Sequence, residues 1–534
     1  MVSILSFNCT GQKQKVDLLV INAKVYSVDE NFNVFESFAI QDGKFVAVGT
    51  NSQIEEAYTS DSILDLNGKP VYPGLYDAHC HFVGYGLGLS EANLVGTNSF
   101  DEIIDLIKKH SIEHTEEWVI GRGWDQNDWA LKDLPENTKL NEAFPNKPVV
   151  LTRVDGHALI ANDEALKRAG ITVQSKISGG EIIKKNGKLT GILIDNAMSL
   201  MNRVIPLPDK DTKLKAILNA QKNCFSVGLT TVCDAGLDYD VVELLIELSR
   251  AKQLKMHVYA MLSPSKKNLE NFVKKGPVIS DGINIRCIKL YADGALGSRG
   301  ACLLKPYADD PGNKGLIVED INTLKDIYLA AYNYNFQVAT HAIGDSANRL
   351  VLNLYGEILK DRNDRRWRIE HAQVVDKNDF SLFKKFSVIP SVQPTHATSD
   401  MYWAGNRLGP ERIKFAYAYK SLLETNSWIP LGSDFPVEDI NPLFGFYAAV
   451  SRMDQKFFPE RGFQSEQALT KQEALRGMTI WAAKSCFEEN EKGSIEPGKL
   501  ADFVILDKDI MEVDIKEIPK VKVQATYIGG EKVY

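Results

Sequence analysis

Gln337-Val338-Ala339-Thr340-His341 reads as a strand, and Asp345 shortly after it stands at a helix N-cap. An apolar stripe at helical spacing follows at Ala347, Leu350, Val351, Leu354 and Ile358. The next strand, Trp367 to His371, precedes a further helical stretch opening at Asp376, and Val388-Ile389-Pro390-Ser391-Val392 is a strand again. Strands alternating with helices are the pattern of parallel βα units. Working outward, Leu75 to His81, Gly228 to Ala235, His257 to Leu262, Ile285 to Tyr291 and Trp428 to Gly432 read as strands too. Three plus these five make eight strands, the number that closes a (β/α)8 TIM barrel. The fold class is therefore α/β.

Two regions fall outside that rhythm. Between His81 and Gly228 lies far more chain than one crossover requires, including a capping-box helix start at Ser99 with Glu102. Residues 86–215 are expected to form an insertion, or lid, over the barrel mouth, where loops carry specificity. Both ends of the chain read as short strands. Phe38-Ala39-Ile40 faces Phe45-Val46-Ala47-Val48 across Asp42-Gly43, a hairpin signal, and Asp502 to Leu506 and Ala525 to Ile528 are strand-like near the C-terminus. Neither terminal piece could bury a sheet face alone, so residues 1–70 and 488–534 are expected to form one small β-sandwich. Residues 71–85 and 216–487 then form the barrel.

At 534 residues the chain can bury a substantial core, and 44% hydrophobic and 25% charged residues are ordinary for a water-soluble protein. A net charge of -8 without a basic run excludes nucleic acid as an expected partner. No apolar stretch approaches the roughly 20 residues of a transmembrane segment. The expected partner is a small-molecule substrate, with a homodimer left open. The seven cysteines are scattered and odd in number, which reads as free thiols. Location is expected to be cytoplasmic as written. The alternative is a bacterial cell-envelope lipoprotein anchored at Cys9, with Met1 to Asn8 the remainder of a truncated signal.

The chemistry begins at Asp77-Ala78-His79-Cys80-His81. A strand places alternate side chains on one face, so His79 and His81 point the same way with Asp77 beside them, as needed to grip one metal ion. Barrel active sites lie at the C-terminal ends of the strands. The polar residues there are His79, His81, Lys289, His341, His371 and Asp434, which would converge on one mouth. Imidazole and carboxylate ligands suit zinc and similar divalent ions. Taken singly, a strand-end histidine is an ordinary polar residue, and Lys289 could simply pair with Asp293.

Six segments carry a resemblance. They are Tyr72 to His81, Lys289-Leu290-Tyr291-Ala292-Asp293-Gly294-Ala295-Leu296-Gly297-Ser298-Arg299, Thr340 to Asp345, Arg368-Ile369-Glu370-His371-Ala372-Gln373, Gly432-Ser433-Asp434-Phe435-Pro436 and Gly493 to Asp502. Through them nearly the whole chain resembles the amidohydrolase superfamily, in the amidohydrolase family 3 branch that includes N-substituted formamide deformylases. The resemblance implies a divalent metal cofactor, zinc by default, with one or two ions per chain. His79, His81 and Asp434 would hold the more buried ion, and His341 and His371 a second. Lys289, carboxylated by carbon dioxide, would bridge them. Asp434 would also be the general base and His157 a donor to the developing oxyanion.

The implied activity is hydrolysis of a C–N bond other than a peptide bond, in an amide, N-substituted formamide or similar small acyl compound, by metal-bound hydroxide. A cyclic amide or urea-type hydrolase is the alternative, and a non-catalytic metal-binding paralogue a further one. A deaminase is disfavoured, because Ala342-Ile343-Gly344 follows His341 where a His-x-x-Glu helix would be needed. Trp124-Asp125-Gln126-Asn127 and Gln393-Pro394-Thr395-His396 read as pocket walls, Trp124 equally as core, with His396 a weaker ligand candidate.

Overall fold

The structure, a computed structural model, describes residues 13–534. Cys9, the candidate lipid anchor, lies outside the described residues. Seven parallel strands form the central sheet in sequence order: β1 (Leu75–Cys80), β2 (Leu229–Leu237), β3 (His257–Leu262), β4 (Ile283–Tyr291), β5 (Gln337–Ala342), β6 (Arg368–His371) and β7 (Ile389–Ser391). Each lies at a place where the apolar runs predict a strand. Buried Ile, Val, Leu and Ala on these strands meet apolar faces of helices such as Tyr239–Arg250, Ile321–Asn333 and Asp345–Leu359. Asp345 is the first residue of its helix, not the cap: Gly344 takes that position, and the Asp345 carboxylate accepts instead from Leu304 N at 2.8 Å.

The eighth strand closes the barrel as an irregular segment. Val392 N donates to Pro430 O at 3.2 Å and Gly432 N to Val392 O at 3.0 Å, while Ala78 N donates to Leu431 O at 3.1 Å. A Cβ on Gly432 would sit 2.5 Å from the backbone nitrogen of His79. Only glycine permits that approach, and it brings residues 432–434 against the end of β1.

Between β1 and β2 a six-stranded mixed sheet is inserted, in the order Ala92–Asn93, Val119–Trp124, Val149–Arg153, Ala158–Ala161, Lys188–Asp195, Gly180–Lys185. It has its own core, including Leu94, Ile103, Ile107, Leu140 and Ile160. Ser99 caps the helix Phe100–Glu113 by accepting from Glu102 N at 3.2 Å, while the Glu102 carboxylate accepts from Asn98 N at 2.8 Å.

The chain ends form two larger sheets, besides a short pairing of Gln14–Lys15 with Tyr58–Thr59. Lys44–Gly49, Ser37–Gln41, Leu18–Ile21 and Ile63–Asp65 make one, with Asp42-Gly43 in the left-handed region at the hairpin turn. In the other, Pro70–Pro73 lies between Lys24–Tyr26 and the C-terminal strand Phe503–Leu506. Phe38, Phe45, Phe503 and Tyr527 pack together between the two sheets. Asp509 fastens the ends of the chain, accepting from Lys24 Nζ at 2.7 Å and from the hydroxyls of Tyr26 and Tyr72 at 2.8 Å each. Among the described residues no helix is long and apolar enough to cross a membrane. The six described cysteines are free thiols, with Cys302 partly exposed and the other five buried.

Candidate metal centre

His79 is fully buried at the end of β1, and its Nδ1 lies 2.5 Å from Glu370 Oε2 on β6. The Glu370 carboxylate is gripped by Arg368, whose Nε donates to Oε1 at 2.7 Å. Burial alone would raise the Glu370 carboxyl, but the Arg368 guanidinium and His79 hold it down at about 2. Glu370 is therefore an anion that takes the Nδ1 proton of His79 as a hydrogen bond. His81 Nδ1 lies 3.1 Å from Ala235 O, which can only accept, so Nδ1 donates here as well. Burial holds the His81 imidazole below its ordinary value and so neutral, although Asp434 pulls the other way.

With Nδ1 engaged on each ring, both turn Nε2 inward. His79 Nε2 is 3.4 Å and His81 Nε2 3.3 Å from Asp434 Oδ1, a buried carboxylate oxygen with no hydrogen-bond partner. Asp434 is delivered by a left-handed backbone (φ 63°), and its amide donates to His79 O at 2.7 Å. Burial opposes ionisation of Asp434, yet His79 and His81 hold its carboxyl well below the usual range. Two imidazole Nε2 atoms and one carboxylate oxygen thus face one point, with Lys289 Nζ the donor beside them, 3.2 Å from His79 Nε2. Ligands about 2.0–2.1 Å from one ion at tetrahedral angles are themselves about 3.4 Å apart. The donor set and its spacing fit a divalent cation.

A second group shares the same carboxylate: His371, His396 and Asp434 offer ligand atoms within 4.8 Å of one another. His371 is turned inward by positive φ at its own position (72°) and at Ala372 (42°), against strand alternation. Its Nδ1 lies 2.8 Å from the Gln393 side-chain oxygen, leaving Nε2 free. His396 Nε2 is buried without a hydrogen-bond partner, 3.8 Å from Asp434 Oδ2. His341 belongs to neither group. Its Nε2 faces Gly294 O at 3.4 Å, although its ring stands 4.6 Å from that of His371.

Lys289 Nζ approaches His79 Nε2 at 3.2 Å, and burial draws its amine down to about 8. It does not pair with Asp293, whose carboxylate instead accepts from the amides of Cys302, Ile343 and Gly344 at 2.7–2.9 Å. Asp77 is not aimed at the ion position either. It accepts from Ser433 Oγ at 2.6 Å and from His79 N at 3.0 Å, tying β1 to the closing segment.

These side chains open into a cavity of about 720 Å³ lined by His81, His157, Lys289, His341, His371, His396 and Asp434, with Arg122, Asp125 and Arg153 from the insertion. His157 Nδ1 is 2.7 Å from Asp195 Oδ1, and its ring stands 4.9 Å from that of His341. Burial works against a charged imidazole there, but Asp195 prevails and raises it. Of the expected walls, Asp125 and His396 line the cavity. Trp124 is core, fully buried with its indole donating to Leu151 O at 2.8 Å. Residues 295–297 of the loop after β4 also line the cavity.

Of the orienting residues, Asp195 had no sequence signal; Arg368, Glu370 and Ser433 stand in the segments that carry the resemblance and Gln393 in an expected pocket wall, none of them with an orienting role. For Glu370 alone a hint exists, since alternation puts it on the same face of β6 as Arg368.

A family model described as the amidohydrolase family matches residues 62–534. The protein LONG AFTER FAR-RED 3 of Arabidopsis thaliana is 34% identical, over 97% of this chain and 91% of that protein. The N-substituted formamide deformylase of Arthrobacter pascens is 25% identical, over 97% and 98%. Among solved structures, an uncharacterized metal-dependent hydrolase from Pyrococcus horikoshii superposes with a TM-score of 0.76 at 28% identity, covering 93% of this chain and 99% of that one.

Proposed function

This chain belongs to the amidohydrolase family, and on that footing we propose that it is a metal-dependent hydrolase of C–N bonds in amides, N-substituted formamides or similar small acyl compounds. The observation that carries the reading is the meeting of His79 Nε2, His81 Nε2 and unpartnered Asp434 Oδ1 at 3.3–3.4 Å, on the floor of a cavity. His79, His81 and Asp434 hold one divalent ion, zinc by default. His371 supplies Nε2 to a second, with His341 and His396 both beside it. When bound, such an ion polarises a carbonyl and eases the ionisation of water at neutral pH.

The remaining steps fall to the protein's own groups. Asp434 takes a proton from the attacking water and passes it to the leaving nitrogen, so that water and amide become a carboxylic acid and an amine. His157, which Asp195 orients and raises above its ordinary value, in its protonated form donates from Nε2 to the carbonyl oxygen as negative charge grows there. Lys289, drawn toward its neutral form, attacks carbon dioxide through its nitrogen lone pair and loses a proton, becoming a carbamate anion beside His79.

Elemental analysis of gently purified protein, with turnover of N-formyl and N-acyl amines before and after chelation and zinc reloading, tests this reading. Near two ions per chain with zinc-restored turnover is the expected result. Near one ion would remove Lys289 as a bridge. No ion even after reloading would end the hydrolase reading.

A further inference from the structure

We propose that Arg122 is an anion-binding residue of the cavity, and that the substrate bears a carboxylate near its scissile amide, as an N-acyl or N-formyl amino acid does. The inference rests on the C–N hydrolase reading above and narrows it to a substrate class.

Arg122 sits near the end of the insertion strand Val119–Trp124 and lines the same cavity as His81, Lys289, His341 and Asp434. Its Nη2 donates to Val154 O at 3.1 Å. The guanidinium lies flat against Gly156, where a Cβ would come within 3.2 Å of Nη2 and 3.5 Å of Nη1. Gly156 has φ +73°, so both its backbone and its lack of a side chain make this seat. The next residue is His157, whose ring neighbours His341. The seat is thus built into the segment that carries the proposed oxyanion donor.

What the seat lacks is a carboxylate in contact, although Asp434, Glu91 and Asp155 act on it from farther away. Among the described residues no carboxylate lies within 4.0 Å of the Arg122 guanidinium, and its buried Nε has no hydrogen-bond partner. The other insertion arginine is neutralised: Arg153 ion-pairs with both Asp125 and Asp155. Other acids of the cavity have partners too, Asp400 with the Tyr417 hydroxyl and Glu438 with the Ser399 hydroxyl. Glu91 shares the cavity wall, where burial raises its carboxyl and Arg122 lowers it, but it does not come within 4.0 Å of the guanidinium. A guanidinium withdrawn from water without an anion is costly, and a ligand carboxylate meets its planar donors with paired, charge-assisted hydrogen bonds. Val95, Ile120 and Val150 line the cavity as well and offer an apolar wall to a side chain.

The alternative is that Arg122 only braces the Val154 carbonyl. The deciding experiment uses zinc-loaded enzyme and matched probes, N-formyl- and N-acetyl-leucine in both enantiomers and their carboxamides. Wild type is expected to prefer the carboxylate of each pair. Arg122→Gln is expected to lose about 10–100-fold in kcat/KM on the carboxylates, mostly through KM, with the carboxamides unchanged. Arg122→Lys should recover part of the loss. Calorimetric binding of N-acetyl-leucine should weaken in parallel. If the probes bind through Arg122 yet none turns over, the hydrolase reading falls and the anion site stands. Equal use of carboxylate and carboxamide by wild type overturns the inference, whether or not the glutamine variant folds. So do equal losses on both in Arg122→Gln, or unchanged binding in that variant.

Discussion

Glu370 Oε2 and His79 Nδ1 meet at 2.5 Å across the barrel, and the contact decides which nitrogen of His79 is left for a metal. Glu370→Gln keeps the shape but removes the anion from between Arg368 and His79. Loss of such an outer partner typically costs about 10–100-fold in metal affinity. Arg368, buried, would also be left without its counter-charge, at about 3–5 kcal/mol of stability. Zinc competition against a chelator, with a thermal melt, checks both; unchanged zinc affinity would detach Glu370 from the centre.

Asp434→Asn should leave the barrel folded, because the backbone bond from residue 434 to His79 O does not involve the side chain. Turnover should fall by about 10²–10⁴-fold, the range for losing a positioned acid–base group. A near-native melt with unchanged kcat would remove the residue from proton transfer.

Lys289→Ala should lower both metal content and activity. Short carboxylic acids such as acetate or propionate should restore part of each by occupying the position of the proposed carbamate. Full activity without any added acid would take Lys289 out of the reaction.

Asp509 gives a pH prediction away from the metal. Burial opposes its ionisation, yet Lys24, Tyr26 and Tyr72 hold its carboxyl below the ordinary 3.8. A carboxyl lowered in the folded state binds protons more weakly there than in the unfolded chain. Its stabilisation is therefore complete above the ordinary carboxylate range, and fades as pH falls below about 4 toward the folded value. Asp509→Asn should lower stability by about 1–3 kcal/mol at pH 7, with the deficit shrinking in acid. Urea unfolding of both proteins at pH 7 and pH 3 measures it, and a deficit independent of pH would contradict the assignment.

Much of this was legible in the residues because its signals are local. Alternation over Asp77 to His81 puts both histidines on one face, and βα punctuation locates all eight strands, although the last closes as an irregular segment. The same alternation misleads at Asp77, which is spent on Ser433 rather than on the ion position. It also misses the inward turn of His371, since nothing in Glu370-His371-Ala372 announces two positive φ values. The relative standing of His341 and His396 depends on ring orientation, set by Gly294 O in one case and proximity to Asp434 in the other. Arg122 is one arginine among many until the fold places it in the cavity with no carboxylate in contact.

The strand Pro70–Pro73 has a neighbour that follows it in the chain only after the whole barrel. Until Phe503–Leu506 arrives, one edge of Pro70–Pro73 presents unpaired backbone groups, the kind of edge on which other chains add. That strand runs directly into β1 and His79. The growing polypeptide must therefore carry the scaffold of its candidate metal-binding histidines half-finished until every barrel strand has been made. A message truncated shortly before codon 503 would yield a complete set of barrel strands whose foundation is an open, sticky sheet, and such products should be found in aggregates and with chaperones rather than as free enzyme.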